Sequence, residues 1–365
     1  MNNQIHNRFG VLGVDAIKEK DLDIFGMRTA TRNIIVILDS SCDFICLYCY
    51  ISKSFRSISK VLNYQSTIQA IVNAIQSFPV INIEFSGRLK QHKEFLQGVF
   101  SLKRRYQDKQ FHFFFQLNGS ELDDSIIEMI KVNRVVVGIS SDGTCRVNNA
   151  IRKSKIGGYG GAIIGEAIQL LSDNAIPFSI RCTISKANVN DVGALISVFL
   201  KNNPSSVFLN RLIYKSDSLI DYSELMVGID DYLKFYDEYH EQVMSLGYYQ
   251  FIDVNFRRWL YRFDDNSKGW SHACSTGRCS YCDVITPNGN YKCPKFLGSP
   301  VVPENDIVRY REYHCKTCRV SELCKGGCPL GNNYCDYGLS DECVFINHLY
   351  DYYLSNKEKL NKIIK

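Results

Sequence analysis

The sequence predicts an α/β protein: an open, partial (β/α)6 barrel followed by a small cysteine-rich region that ends in a helix. Short apolar runs bounded by turn signals alternate with helical patterns, which is typical of a parallel sheet with crossover helices. From His272 onward this alternation stops and cysteines dominate. The final stretch, CVFINHLYDYYLSNKEKLNKIIK, predicts a closing helix whose basic end suits the helix dipole.

The alternating part contains six predicted strands and five predicted helices. The strands cover 33–38, 80–87, 111–119, 134–140, 177–185 and 206–214. The helices cover 64–78, 92–106, 121–132, 160–174 and 188–202. Functional sites on such sheets lie at the carboxyl ends of the strands. We therefore expect the chemistry near the residues at or just beyond those ends, which are Cys42, Gly87, Asn118, Ser140 and Ser185.

These patterns divide the chain into four predicted segments. An N-terminal extension covers 1–32 and the partial barrel covers 33–219. An aromatic, helical bridging region follows at 220–271, and the cysteine-rich region with its closing helix covers 272–365.

Composition excludes several classes of protein. A formal net charge of +5 over 365 residues is too small for a nucleic-acid-binding surface. No run is long and apolar enough to cross a bilayer, and the N-terminus lacks the apolar core of a secretory signal. We therefore expect a cytoplasmic protein with neither nucleic acid nor membrane as a partner. In that compartment, 15 cysteines indicate metal binding rather than disulfides.

Three cysteines in one short loop form the first candidate site. Cys42, Cys46 and Cys49, in CDFICLYC, follow the first predicted strand. Thiolates select iron–sulfur clusters, copper(I) or zinc, and a structural zinc ion takes four ligands. Three thiolates suit a four-iron cluster in which one iron stays open to another ligand. The alternative is half of a zinc site.

This spacing after the first strand of a partial barrel resembles that of the radical S-adenosylmethionine (SAM) superfamily. The resemblance implies a [4Fe–4S] cluster on the three cysteines, with the open iron bound to the amino and carboxylate groups of SAM. Reduction then cleaves SAM to a 5′-deoxyadenosyl radical, which abstracts a hydrogen from the substrate. The resemblance also implies that Tyr48 lies near the SAM adenine. The further SAM-binding candidates are Ser86, Gly87, Asn118 and Ser140.

One position departs from the pattern of this superfamily. Its members usually carry Gly-Gly-Glu-Pro after the second strand, where it meets the SAM amino group, but this chain reads Ser86-Gly87-Arg88-Leu89. An arginine in place of a carboxylate beside an ammonium is unfavourable if the side chain points inward. Three alternatives stay open: backbone carbonyls bind the amino group, Arg88 turns away, or SAM lies differently.

The cysteine-rich region resembles a SPASM domain, which implies two auxiliary [4Fe–4S] clusters and therefore three clusters in all. The first implied ligand set is Cys274, Cys279, Cys293 and Cys328, and the second is Cys315, Cys318, Cys324 and Cys343. Two zinc sites are the alternative, since local spacing hardly separates the two. Cys282 lies between two implied ligands and is an alternative to Cys279.

Proteins with this domain mostly modify peptides, so the resemblance favours an oxidoreductase that matures a ribosomally made precursor peptide by a thioether or carbon–carbon crosslink. Epimerisation is an alternative, for which Cys282, Cys335 and Cys145 are the hydrogen-donor candidates. Sulfatase maturation is disfavoured, because Pro294 stands where that subclass carries an aspartate. A non-catalytic electron-transfer protein is the remaining alternative.

The resemblance also implies partners. A precursor peptide is the expected substrate, and flavodoxin or ferredoxin is the type of electron donor expected. Only 41 residues precede Cys42, so we expect a peptide-recognition module, if one is used, to be a separate protein.

Overall fold

The computed structural model describes residues 31–49, 51, 55–56, 61–212, 221–264, 282–291, 311–324 and 340–364. Its strands in chain order are β1 (Thr31–Ile37), β2 (Phe44–Cys46), β3 (Val80–Ser86), β4 (Gln110–Leu117), β5 (Val136–Ser140), β6 (Arg152–Ser154), β7 (Phe178–Ile184), β8 (Ser206–Arg211), β9 (Cys282–Thr286) and β10 (Gly289–Tyr291). Within the described ranges, eight of these strands form one sheet in the order β10-β9-β1-β3-β4-β5-β7-β8. The fold class predicted from the sequence is confirmed.

The six predicted strands are all present and pair in parallel, each within a few residues of its predicted bounds. The short strands β2 and β6 were not predicted. They pair with each other in a separate antiparallel ribbon. Three residues are too few to show a periodic pattern, and this ribbon carries Cys46 at its end.

Helices pack against one face of the sheet and against one another. In chain order they are α1 (Tyr64–Ile75), α2 (Lys93–Arg105), α3 (Asp124–Asn133), α4 (Cys145–Ile151), α5 (Gly160–Asp173), α6 (Val192–Asn202), α7 (Ile229–Ser245), α8 (Val254–Asp264), α9 (Ser321–Cys324) and α10 (Asp341–Ile364). Four of them begin with a side chain that caps the first turn, from Asn63, Asp123, Thr144 and Asp191. These caps fix where the connections from the strands end and the helices begin.

Side chains alternate between the two faces of the sheet. Val36, Phe85 and Phe115 are fully buried on the helix-covered face. On the other face, Glu84 of β3 and Arg181 of β7 form an ion pair of 2.8 Å. Two strands, β4 and β5, lie between them in the sheet. A contact across two strands requires a strongly curved sheet, as a partial barrel has.

The cysteine-rich region contributes to the same sheet. Strands β9 and β10 form a hairpin and pair in antiparallel register. Strand β9 also pairs in parallel with β1, and Cys282 lies opposite Asn33. The barrel and the hairpin therefore share one hydrogen-bonded sheet, although the pattern along the sequence changes between them.

The bridging helices α7 and α8 meet β8 at the buried carboxylate of Asp253. It accepts hydrogen bonds from the Tyr236 hydroxyl at 2.6 Å and from the Leu209 backbone N–H at 3.0 Å. Burial raises the pKa of Asp253 to about 6, although these hydrogen bonds lower it. The neighbouring His240 is also buried, which lowers its pKa to about 4. No helix in the described segments is long and apolar enough to cross a membrane.

Candidate active site

The three-cysteine loop lies beyond β1 at the carboxyl edge of the parallel sheet. The Cys49 backbone N–H donates to the Cys46 carbonyl at 3.1 Å, which forms the tight turn between them. The Arg56 guanidinium donates to Cys49 Sγ at 2.9 Å and interacts electrostatically with Cys42 and Cys46 as well. The structure therefore brings the three predicted thiols into one electrostatic environment.

Burial makes this environment unfavourable for an uncompensated thiolate. It raises the pKa of the Cys46 thiol to about 12, although the nearby Arg152 lowers it. A ligand thiolate must lose its proton, so a bound cationic centre would supply the missing compensation. No three His, Cys, Asp or Glu side chains of the described segments are placed to share one metal ion. Thiolates that bind separate irons of a cluster do not need to meet at one ion.

Asn118 joins the third barrel strand to this loop. It follows β4, and its Nδ2 donates to Cys42 Sγ at 3.4 Å. Its side-chain oxygen accepts from the Ser120 backbone N–H at 3.0 Å, and the Ser120 hydroxyl lies between that oxygen at 2.8 Å and Asp43 Oδ2 at 2.9 Å. The predicted site residue Asn118 is thus in contact with the predicted ligand Cys42.

The second barrel strand meets the same loop. The Ser86 carbonyl accepts from the Leu38 backbone N–H at 2.9 Å, which extends the β1–β3 ladder by one residue. Gly87 has a φ of +113°, and an added Cβ would lie 3.3 Å from both the Asp39 nitrogen and the Leu38 side chain. The glycine therefore lets the two loops approach each other closely.

The predicted site residue Ser140 lies at the end of β5, where its hydroxyl oxygen accepts a hydrogen bond from Gln116 Nε2 at 2.9 Å.

Tyr48 is buried beside an ion pair that sequence reasoning missed. The Asp142 carboxylate accepts from Arg152 Nε at 2.8 Å and Nη2 at 3.0 Å, and also from the Tyr48 hydroxyl. The Arg152 guanidinium lies 5.4 Å from the centre of the Tyr48 ring. The one signal available in the sequence is an aspartate in the SSDG turn that follows β5.

These contacts fix the charges of the group. Burial raises the pKa of Tyr48 well above its usual value, and the Asp142 carboxylate adds to this. Burial by itself would lower the pKa of Arg152, but Asp142 holds it well above the usual value. A neutral Tyr48 and the charged Arg152 guanidinium thus pack against Cys46, whose Sγ lies 4.0 Å from Arg152 Nη1.

The cysteine-rich region is described only in part. Cys274, Cys279, Cys293, Cys328 and Cys335 lie outside the described residues, as does Pro294. Asn347 of α10 connects two residues of the second predicted set. Its Nδ2 donates to the Cys343 carbonyl at 2.9 Å and contacts Cys318 Sγ at 3.8 Å.

Two hydrogen-donor candidates lie in the described segments, and they are far apart in the topology. Cys282 begins β9 and packs against the small apolar cluster of Ile37, Phe55 and Val284. Cys145 is exposed at the start of α4, where Asn149 contacts its Sγ at 3.6 Å. The structure does not bring these two thiols together.

Comparison with known proteins gives relatives with one recurrent name. No protein-family model matches the chain. It is 23% identical over 330 residues to the cysteine-type anaerobic sulfatase-maturating enzyme of Clostridium perfringens strain 13, covering 79% of this chain and 86% of the relative. The enzyme of the same name from Clostridium novyi is 22% identical over 376 residues, covering 89% and 95%.

Solved structures give the same answer for the fold. Native anSMEcpe with bound AdoMet superimposes with a TM-score of 0.72 at 18% identity, covering 90% of this chain and 99% of that one. The chain has the radical SAM fold. Streptococcus suis SuiB bound to S-adenosylmethionine shares it more distantly, with a TM-score of 0.58 at 12% identity, covering 82% and 74%. The resemblance to the radical SAM superfamily is confirmed at the level of the fold, and the individual site residues stay predictions.

Proposed function

We propose that this protein is a radical SAM enzyme that abstracts a hydrogen from a residue of a peptide substrate and installs a crosslink. The observation that carries the proposal is the three-cysteine loop at the carboxyl edge of the sheet, contacted by Asn118 from the third barrel strand. This is the edge at which parallel α/β barrels carry their active sites.

The residues present fit a [4Fe–4S] cluster with SAM. Cys42, Cys46 and Cys49 would bind three irons, and Gly87 lets its own loop approach Leu38 and Asp39, just before these cysteines. When bound, cluster and SAM supply a 5′-deoxyadenosyl radical on reduction. Asn118 orients Cys42 through its 3.4 Å contact, and Arg56 offsets thiolate charge at Cys49. The buried Arg152–Asp142 pair holds Tyr48 and the Cys46 strand in place.

Two auxiliary clusters are part of the proposal. Cys315, Cys318, Cys324 and Cys343 would hold one, and Cys274, Cys279, Cys293 and Cys328 the other. Asn347 contacts Cys318 Sγ from the helix that carries Cys343, which supports the set of Cys315, Cys318, Cys324 and Cys343. Because β9 pairs with β1, this region is anchored beside the strand that leads into the three-cysteine loop.

The substrate class rests on neighbours in fold and sequence. SuiB has been solved with its precursor peptide SuiA, and anSMEcpe with a Cp18Cys peptide. A peptide crosslink is our first proposal. Sulfatase maturation is the second candidate, favoured by the names of the relatives and disfavoured by Pro294 after Cys293. A flavodoxin or ferredoxin would supply electrons.

Mass spectrometry separates these reactions. The reconstituted protein is incubated with SAM, a reductant and synthetic cysteine-containing precursor peptides. A crosslink removes two hydrogens, whereas formylglycine formation from cysteine also exchanges sulfur for oxygen. Epimerisation leaves the mass unchanged in ordinary water but takes up deuterium from heavy water. SAM cleavage with none of these products on any peptide would contradict the peptide proposal.

A further inference from the structure

The loop that departs from the superfamily pattern has an unexpected partner. Arg88 Nε lies 3.6 Å from Asp39 Oδ2, and the Arg88 backbone N–H donates to the same oxygen at 3.1 Å. Asp39 is three residues before Cys42, in the loop that leaves β1. The two residues thus connect the β3 loop to the beginning of the three-cysteine loop.

The Asp39 carboxylate is in contact with several further polar groups. Its Oδ1 accepts from the Ser41 backbone N–H at 2.8 Å and hydroxyl at 2.7 Å. His92 Nε2 lies 3.5 Å from Oδ2, and His92 Nδ1 contacts the Tyr64 hydroxyl at 3.1 Å. Burial opposes ionisation, but these hydrogen bonds and the charge of Arg88 lower the pKa of Asp39 to about 2. The carboxylate is therefore charged at neutral pH.

We propose that Asp39 and Arg88 are paired positioning residues of the SAM site, in which Asp39 neutralises the cation that position 88 carries in place of a carboxylate. This inference rests on the proposed function, because it names a role toward SAM. The two side chains together carry no net charge. Arg88 turns toward Asp39, so its cation is neutralised at the loop where the SAM ammonium is expected.

The pairing makes an unusual prediction for restoring the superfamily glutamate. Arg88→Glu alone would put a second carboxylate against Asp39, and like charges at such distances repel strongly near a protein surface. The loop would then shift, and SAM would bind less tightly instead of more tightly. Arg88→Glu combined with Asp39→Asn leaves one carboxylate in the pair and removes the repulsion. Asp39→Asn alone leaves the cation of Arg88 uncompensated.

The test is SAM affinity, measured by equilibrium dialysis on the reconstituted protein, together with the electron paramagnetic resonance spectrum of the reduced cluster with and without SAM. We expect Arg88→Glu and Asp39→Asn each to weaken SAM binding by roughly tenfold or more. The double variant should recover most of the affinity and the SAM-induced spectral change. Lys90→Glu is the matched control, since Lys90 pairs with Asp123 at 3.0 Å, and should leave SAM affinity unchanged.

Three results would overturn the inference. Arg88→Glu could bind SAM as tightly as the wild type or more tightly, or the double variant could be as weak as the sum of the single variants. The variants could also lower only the urea midpoint of the cofactor-free protein and leave SAM affinity intact, which would make the pair merely structural. Absence of SAM binding by the wild type is a different outcome, because it overturns the proposed function as well.

Discussion

Substitution of Arg152 by methionine would leave the buried Asp142 carboxylate, next to the three-cysteine loop, without its charged partner. Asp142 is fully buried, and the Arg152 side chain is only 7% exposed. The substitution removes two hydrogen bonds of 2.8 and 3.0 Å and leaves the carboxylate with the Tyr48 hydroxyl and the Thr183 backbone N–H as donors. Breaking a buried pair on one side costs about 3–5 kcal/mol, because the remaining charge is uncompensated.

Anaerobic urea unfolding of the reconstituted protein, followed by circular dichroism, measures this cost. Arg319→Met is the matched control, because Arg319 and Asp351 form an ion pair with both side chains about half exposed. Exposed pairs contribute about 0–1 kcal/mol, so the control should unfold close to the wild type. Adding Asp142→Asn to Arg152→Met should recover part of the loss. If the free energy of unfolding of Arg152→Met lay within about 1 kcal/mol of the control, the buried Asp142 carboxylate would not depend on Arg152.

Three further outcomes are expected. Tyr236→Phe should lower the free energy of unfolding by about 1–3 kcal/mol, and by more at pH 8 than at pH 5, because only ionised Asp253 needs that donor; an equal loss at both values would contradict this. Burial lowers the pKa of His240 to about 4, so between pH 6.5 and 4 only the unfolded chain takes up a proton on this residue. In urea titrations the free energy of unfolding of the wild type should therefore fall by about 3 kcal/mol over that range relative to His240→Gln. Parallel pH curves for the two proteins would show that His240 does not titrate this way. Cys49→Ala should remove about four of roughly twelve irons, measured by elemental analysis, whereas Cys182→Ala should remove none; equal iron in both variants would argue against Cys49 as a ligand.

The sequence predicted the parts of the fold that depend on local pattern. Apolar runs such as 80–87 and 111–119 are dense and are bounded by turn residues, so the strands could be located within a few residues. Parallel topology then required that Cys42 and Asn118 lie at one edge of the sheet, and the structure has them in contact. The missed elements, β2 and β6, are three residues each and have no period to detect.

Pairings across long sequence separations could not be predicted. Arg88 and Asp39 are 49 residues apart, and Arg88 alone indicates only a charge in an unfavourable place. Of the three alternatives left open for Arg88, the structure favours a side chain turned toward a partner. The pairing of β9 with β1 could not be predicted either, because nothing in the hairpin residues specifies which edge of the sheet they extend.

Reductive cleavage of SAM is the most direct test of the proposed cluster on Cys42, Cys46 and Cys49. The anaerobically reconstituted protein is mixed with SAM and dithionite, and 5′-deoxyadenosine is quantified by chromatography. We expect 5′-deoxyadenosine from the wild type and none from a variant in which Cys42, Cys46 and Cys49 are all alanine. A wild-type protein that contains zinc without iron, or that forms no 5′-deoxyadenosine with its iron fully incorporated, would contradict it.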